Sequence, residues 1–220
     1  MTIVSQDAIG PSLGEQRFAV VDVETSGLSP RRHRILQVAV VHARADGTIL
    51  DEWASDVRPR LWRVGPTHVH GLTARRLRGA PTIAGLVPEL VGRLDGAVLA
   101  AHNASFDWAF LRRSLRRAGY TPPDARRLCT LRLSRSLDGD GVDSHRLVDL
   151  CDRYGIDHPN AHDALADARA TATLLPHLLR AAGTNDLGSL NGAVRGVTTA
   201  WPAPTAGGRS WWRRTVLGQR

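Results

Sequence analysis

The chain has 220 residues, 42% of them hydrophobic and 23% charged, which is enough for one domain with a sizeable core and argues against global disorder. Its net charge is +8 and it contains no lysine, so all 29 basic residues are arginine, a side chain that forks onto phosphate and suits a polyanionic partner. No apolar run approaches the ~20 residues of a membrane span and Met1–Arg17 lacks the layout of a secretory signal, so a cytoplasmic location with no membrane partner is expected.

Arg17 to Val23 is apolar and rich in valine, and Ser26-Gly27 with Pro30 closes it as a strand entering a turn. Ile35 to Val41 is a nearly continuous apolar run, the mark of a strand buried on both faces. Asp46-Gly47 predicts a hairpin turn, and Ile49 to Val57 returns as a third strand, completing an antiparallel meander. Arg58 to Gly79 reads as loop, broken by Pro59, Gly65, Pro66 and Gly71. A helix is predicted over Thr82 to Leu94, bent at Pro88, then a short strand over Ala97 to Ala101. Phe106, Phe110, Leu111 and Leu115 recur at helical spacing in a helix from Ala104 to Ala118. Ser144 is placed to cap another helix, with Leu147, Leu150, Cys151 and Tyr154 on one face. An alanine-rich helix is predicted from Asp163 to Ala182, interrupted by Pro176. The two cysteines, Cys129 and Cys151, share no metal-ligand spacing and read as small buried apolar residues.

Within this frame four carboxylates stand out. Asp22 and Glu24 lie two apart on the first strand, so both side chains emerge on one face. Paired acids on a buried strand are costly unless cations neutralise them, and hard divalent ions with oxygen ligands, Mg²⁺ or Mn²⁺, are the natural partners. Asp107 stands near the start of the helix that follows the short strand, beside the end of the sheet where open α/β sheets bind ligands; there it equally satisfies the free amides of a helix's first turn. Asp167 lies in the alanine-rich helix with His162 five residues before it, about 140° apart on regular geometry. The two converge only if His162 occupies the loop after Pro159-Asn160. On helical grounds Asp163 is an alternative to Asp167.

Four runs in order, VDVETSGL (Val21–Leu28), HGLT (His70–Thr73), AHNASFDWAFL (Ala101–Leu111) and HDALADARATA (His162–Ala172), resemble the motifs of the DEDDh 3′–5′ exonucleases, a DnaQ-like family that includes the DNA polymerase III epsilon subunit. The resemblance covers residues 17–182. It implies a ribonuclease H-like α/β fold, a mixed sheet with three antiparallel strands first, flanked by helices. It also implies roles: Asp22 bridging two divalent cations, Glu24 and Asp167 holding one, Asp107 serving the other, and His162 as general base. It favours Asp167 over Asp163, and it sets Thr25, Leu28, His70 and Asn103 near the terminal nucleotide. His70 equally reads as a loop histidine bonded to backbone, and Leu28 as filling its turn. The implied activity is hydrolysis of single-stranded or frayed DNA from a free 3′ end, releasing nucleoside 5′-monophosphates, in proofreading or repair. An RNA trimmer of the oligoribonuclease or ribonuclease T kind is the alternative, as is a non-catalytic polymerase-recruitment module.

Arginines 31, 32, 34, 58, 60, 63, 75, 76 and 78 cluster near the motifs and are candidates for phosphate contacts, whereas those at 112, 113, 116 and 117 read as a solvated helix face. The expected organisation is an extension at 1–16, an exonuclease domain at 17–183 and a flexible tail at 184–220. The tail carries Trp211-Trp212-Arg213-Arg214, which suits either docking on a DNA polymerase, clamp or nucleic acid, or folding back onto the domain.

Overall fold

The computed structural model describes residues 12–60, 63–138, 144–190 and 192–204. Six strands form one mixed sheet in the order β3-β2-β1-β4-β5-β6. β1 (Arg17–Thr25), β2 (Ile35–Arg44) and β3 (Ile49–Asp56) are the antiparallel meander expected from sequence. The turn between β2 and β3 is closed by the Thr48 amide donating to Asp46 Oδ1 at 2.9 Å. β4 (Val98–Ala101) and β5 (Arg127–Cys129) run parallel to β1, and β6 (Val194–Arg195) pairs antiparallel with β5.

Alternation along β1 divides the core in two. Ala19, Val21 and Val23 face a layer built from α3 (Ile83–Leu94) and α4 (Ala104–Arg117). Phe18 and Val20 face the opposite layer, built from α5 (Thr130–Asp138), α6 (Leu147–Tyr154) and α7 (Ala164–Ala182). Asp22 and Glu24 continue the second set of alternate positions, so their side chains lie on the α7 side of the sheet. The inner stripe of α7 is Ala164, Ala168 and Ala172, all fully buried. Such small side chains let a helix backbone sit close to the strands, which brings its first turn against β1.

Several expectations are corrected. The stretch Arg58–Gly79 is not wholly loop: it holds two single-turn helices, α1 (Thr67–His70) and α2 (Ala74–Leu77). Ser144 does not cap α6, whose N-cap position is Arg146; its hydroxyl donates to Asp149 instead. β5 and α5 have no counterpart in the sequence reading. The domain does not end at 183. Leu187, Leu190, Ala193 and Trp201 are buried, and β6 extends the sheet. Trp201 stacks on Tyr120 at 6.4 Å and meets Trp108 edge-on at 6.0 Å, and its amide donates to Asp95 Oδ1 at 2.8 Å. At the other end Leu13 is buried and its amide donates to Asn185 O, so the extension expected at 1–16 already belongs to the fold from residue 12. These segments lack sustained periodicity because each uses one or two large apolar anchors rather than a repeating face. Residues 205–220, with the Trp/Arg run, lie outside the described residues. No helix among the described residues is long and apolar enough to cross a membrane.

Candidate active site

The site forms where β1 outruns its parallel neighbour. β4 pairs only with Phe18–Val20, so the β1 backbone beyond Val20 has a free edge on that side. Asp107, in the first turn of α4, fills the gap, and its carboxylate accepts a hydrogen bond from the Val23 amide. Asp107 is 2% exposed, and this amide favours the charged form of its carboxyl. Burial nevertheless pushes the Asp107 carboxyl up to about 8, with Glu24 and Asp167 adding to the rise.

Across the gap, Glu24 pairs in register with Gln37 of β2, just before a bulge between Glu24 and Thr25. Burial first, then Asp167 and Asp163, raise the Glu24 carboxyl to about 7. Asp22 is held well above the usual carboxylate range by burial and by Asp107, Asp167, Glu24 and Asp163. Four acids from β1, α4 and α7 therefore repel one another in one place, an arrangement that calls for cationic neutralisation.

His162 lies in the loop ahead of α7, in the left-handed backbone region at φ 69°. That conformation turns it back over the helix start: its amide donates to Asp167 Oδ2 at 3.3 Å. One ligand atom each from Glu24, His162 and Asp167 all lie within 4.8 Å of one another. Asp163 is occupied differently. As N-cap of α7 it accepts from the Leu165 and Ala166 amides, both at 3.1 Å.

Two supporting residues escaped the sequence reading. The His158 side chain is only 5% exposed, with Nε2 2.5 Å from Asp167 Oδ1, and its Nδ1 has no hydrogen-bond partner among the described residues. Gln37 is buried in β2 and accepts from the Ala164 amide at 2.9 Å, while its Nε2 donates to Asp56 Oδ1 at 3.2 Å. Asp56 in turn takes a two-pronged contact from Arg76. This chain of bonds ties the start of α7 to β2 opposite Glu24. A polar residue at a fully buried strand position was the one available signal for Gln37; nothing local marked His158.

The residues expected near a nucleotide separate into two groups. Leu28 is 83% exposed at the loop between β1 and β2, open to a ligand and filling no turn. Asn103 is exposed at φ 74° with no side-chain cap bond. With His102, Arg135, His158, His162 and Asp167 it lines a cleft of about 610 Å³. Thr25 is buried and its hydroxyl donates to Gly27 O at 2.9 Å. His70 is also buried, and both ring nitrogens are committed to backbone. Nε2 donates to Val64 O and Nδ1 accepts from the Leu72 amide, each at 3.0 Å. Burial lowers its pKa. Its polar atoms anchor a loop and are not available to a nucleotide, which corrects one of the two readings of His70.

The family model described as Exonuclease (RNase_T) matches residues 19–175. The chain is 30% identical over 171 residues to the 3′-5′ exonuclease DinG of Bacillus subtilis (strain 168), covering 76% of this chain and 18% of that protein. It is 32% identical over 174 residues to a PolC-type DNA polymerase III of Halalkalibacterium halodurans, covering 79% of this chain and 12% of the relative. The chain thus spans less than a third of the length of the curated relatives it matches. Among solved structures, exonuclease X in complex with 5′ overhanging duplex DNA aligns with a TM-score of 0.63 at 26% identity, over 79% of this chain and 99% of that one. A 3′-exonuclease specific for a histone mRNA stem-loop aligns at 0.67 and 16% identity, over 86% of this chain and 93% of that one, a likeness of fold. These neighbours share the ribonuclease H-like fold. The family model spans more than half of the chain, and the chain belongs to the RNase_T exonuclease family.

Proposed function

We infer that the chain is a metal-dependent 3′–5′ exonuclease that hydrolyses DNA from a free 3′ end and releases nucleoside 5′-monophosphates. The observation that carries this reading is the convergence of Glu24, His162 and Asp167 from a strand, a loop and a helix to within 4.8 Å, beside Asp22 and Asp107. The donor set is hard oxygen with one imidazole, and burial first, then neighbouring acids, raise the carboxyls of Asp107 and Glu24, which a bound cation would reverse. Both features fit Mg²⁺ or Mn²⁺. Asp22, Glu24, Asp107 and Asp167 would hold the cations. Bound there, two such ions supply charge stabilisation at the attacking and leaving oxygens of an in-line displacement.

His162, exposed beside Glu24 and Asp167, takes the proton from the attacking water. The water oxygen bonds to phosphorus, the bond from phosphorus to the 3′ oxygen breaks, and that oxygen is protonated from solvent. His158 and the His162 amide hold Asp167 in orientation. Leu28 lies open against the terminal base, and the Asn103 side of the cleft receives the nucleotide.

The likeness to a DNA polymerase III and to exonuclease X, solved with DNA, supports DNA over RNA. The polymerase relative also supports work beside a polymerase. The test compares mononucleotide release from labelled single-stranded DNA and from short RNA of the same length. Faster release from DNA is expected; a clear preference for RNA overturns the substrate assignment.

A further inference from the structure

A second cleft, of about 680 Å³, lies on the other side of the loop between β1 and β2. Arg34, Arg58, Arg60 and Arg117 line it, and Ile35, Val57 and Ile83 contribute to an apolar floor. Among the described residues that line it none is acidic. Some arginines elsewhere are paired with acids, as Arg76 is with Asp56, Arg93 with Asp51 and Glu89, Arg153 with Asp138 and Arg169 with Glu52. Among the described residues none of the four cleft arginines has an acidic partner. Two of them are instead fixed by backbone carbonyls, Arg34 by His33 O at 2.8 Å and Arg117 by Arg31 O at 2.7 Å. Like charge and burial lower the Arg117 pKa, with burial the larger cause and Arg34 and Arg113 following. Guanidinium groups held together without counter-charge form a preorganised anion site.

Its position is tied to the acid cluster by two elements. Ile35 in its floor pairs in register with Thr25, the residue after Glu24. α4 carries Asp107 at the acid cluster and Arg117 at the cleft, ten residues and ~15 Å apart along the helix axis. That span corresponds to about four nucleotides of stacked strand.

We propose that this arginine cleft binds the phosphodiester backbone of the substrate strand a few nucleotides upstream of the 3′ end being cleaved, with sugars and bases against the apolar floor. The proposal rests on the exonuclease reading for its direction, since the strand must reach the acid cluster with its 3′ end. Recognition there is by phosphate charge and is indifferent to base sequence.

The test measures binding of a 5′-labelled ten-nucleotide single-stranded DNA to the full chain by anisotropy, in chelator so that no cleavage occurs. Arg58→Ala/Arg60→Ala is compared with Arg44→Ala/Arg180→Ala. The second pair removes equal charge, and Arg44 stands at the far end of the ten-residue β2 from Ile35, ~30 Å away. The cleft pair is expected to weaken binding on the order of tenfold and to make the salt dependence shallower by about 1.4, at ~0.7 per lost phosphate contact. The reference pair is expected to change affinity less than about twofold, and Arg58→Lys/Arg60→Lys to restore most of the salt slope. Equal losses in the two pairs, or no loss in the cleft pair, overturn the proposal. Loss of labelled mononucleotide binding as large as that of the ten-mer also overturns it, because that marks a pocket for a free nucleotide. The exonuclease reading is tested separately, by adding cation to the unaltered chain with the same DNA: absence of mononucleotide release sinks that reading, whatever the binding result.

Discussion

His158 stands with Nε2 2.5 Å from Asp167 Oδ1, while the other carboxylate oxygen of Asp167 takes the His162 amide at 3.3 Å. Asp167 is therefore gripped from both sides, by a buried imidazole and by the backbone of the residue proposed as base. Partners of this kind orient a ligating carboxylate and commonly change metal affinity by ~10–100-fold when removed. His158→Ala is accordingly expected to raise the cation concentration needed for half-maximal cleavage by about tenfold or more. At saturating cation, turnover should fall much less, and His158→Gln should recover part of the affinity. Cation titrations of DNA cleavage and of heat release check this; unchanged affinity in both variants would show that the contact is only packing.

Asp163 and Asp167 differ in what they hold. Asp163 caps α7 through two backbone amides, so Asp163→Ala should cost about 1 kcal/mol of stability and leave most cleavage at low temperature. Asp167→Ala should lower cleavage by more than the ~100-fold typical of an outer partner with little loss of melting temperature. Calorimetry and single-strand DNA cleavage on both variants decide it, and the reverse pattern would return the ligand role to Asp163.

His162 makes no side-chain bond that stabilises the fold among the described residues. His162→Ala should reduce turnover by about 10²–10⁴-fold, the range for loss of a general base, with an unchanged melting temperature. Turnover within a few-fold of the parent enzyme would remove the base role.

Without cations, the acid cluster makes stability depend on pH. Glu24 titrates at about 7 in the fold against an ordinary 4.5, and Asp107 at about 8 against 3.8. Raised values mean that the folded chain holds these protons more tightly than the unfolded chain. The resulting stability is complete below about pH 4 and is lost as pH rises through 7 to 8. The contribution of these groups should therefore lower the melting temperature in chelator between about pH 5 and pH 8.5. A divalent cation competes with the protons, so its stabilising increment should grow over the same interval. Melting curves with chelator and with cation across that range measure both; an increment that shrinks towards high pH is the contrary result.

Trp201 closes the α3–α4 layer from outside the helices, against Trp108 and Tyr120. Trp201→Ala should cost about 3–5 kcal/mol, and truncation after Gly183 should give a chain that does not fold cooperatively, since it also removes β6. Chemical denaturation of the two variants is the measurement. A truncated chain that melts like the full one would restore the domain boundary to 183.

The local patterns of this protein were legible because they depend on neighbours in sequence. Period-two alternation placed Asp22 and Glu24 on one face of β1, the apolar run of β2 announced a strand buried on both sides, and the alanine stripe announced α7. Other features were settled only by tertiary structure. Helical spacing alone could not tell how Asp163 and Asp167 differ in surroundings; that depends on where α7 starts, against Gln37 of β2, and on the left-handed turn at His162. Asp107 lies at the site because β4 stops short of Val23, a difference in strand length that no local motif encodes. His158, Trp201 and the arginine cleft owe their surroundings to segments from nine to about a hundred residues away. Periodicity reports which face of an element is apolar, whereas paired charges, orphaned amides and single aromatic anchors acquire meaning only when the chain has closed upon them.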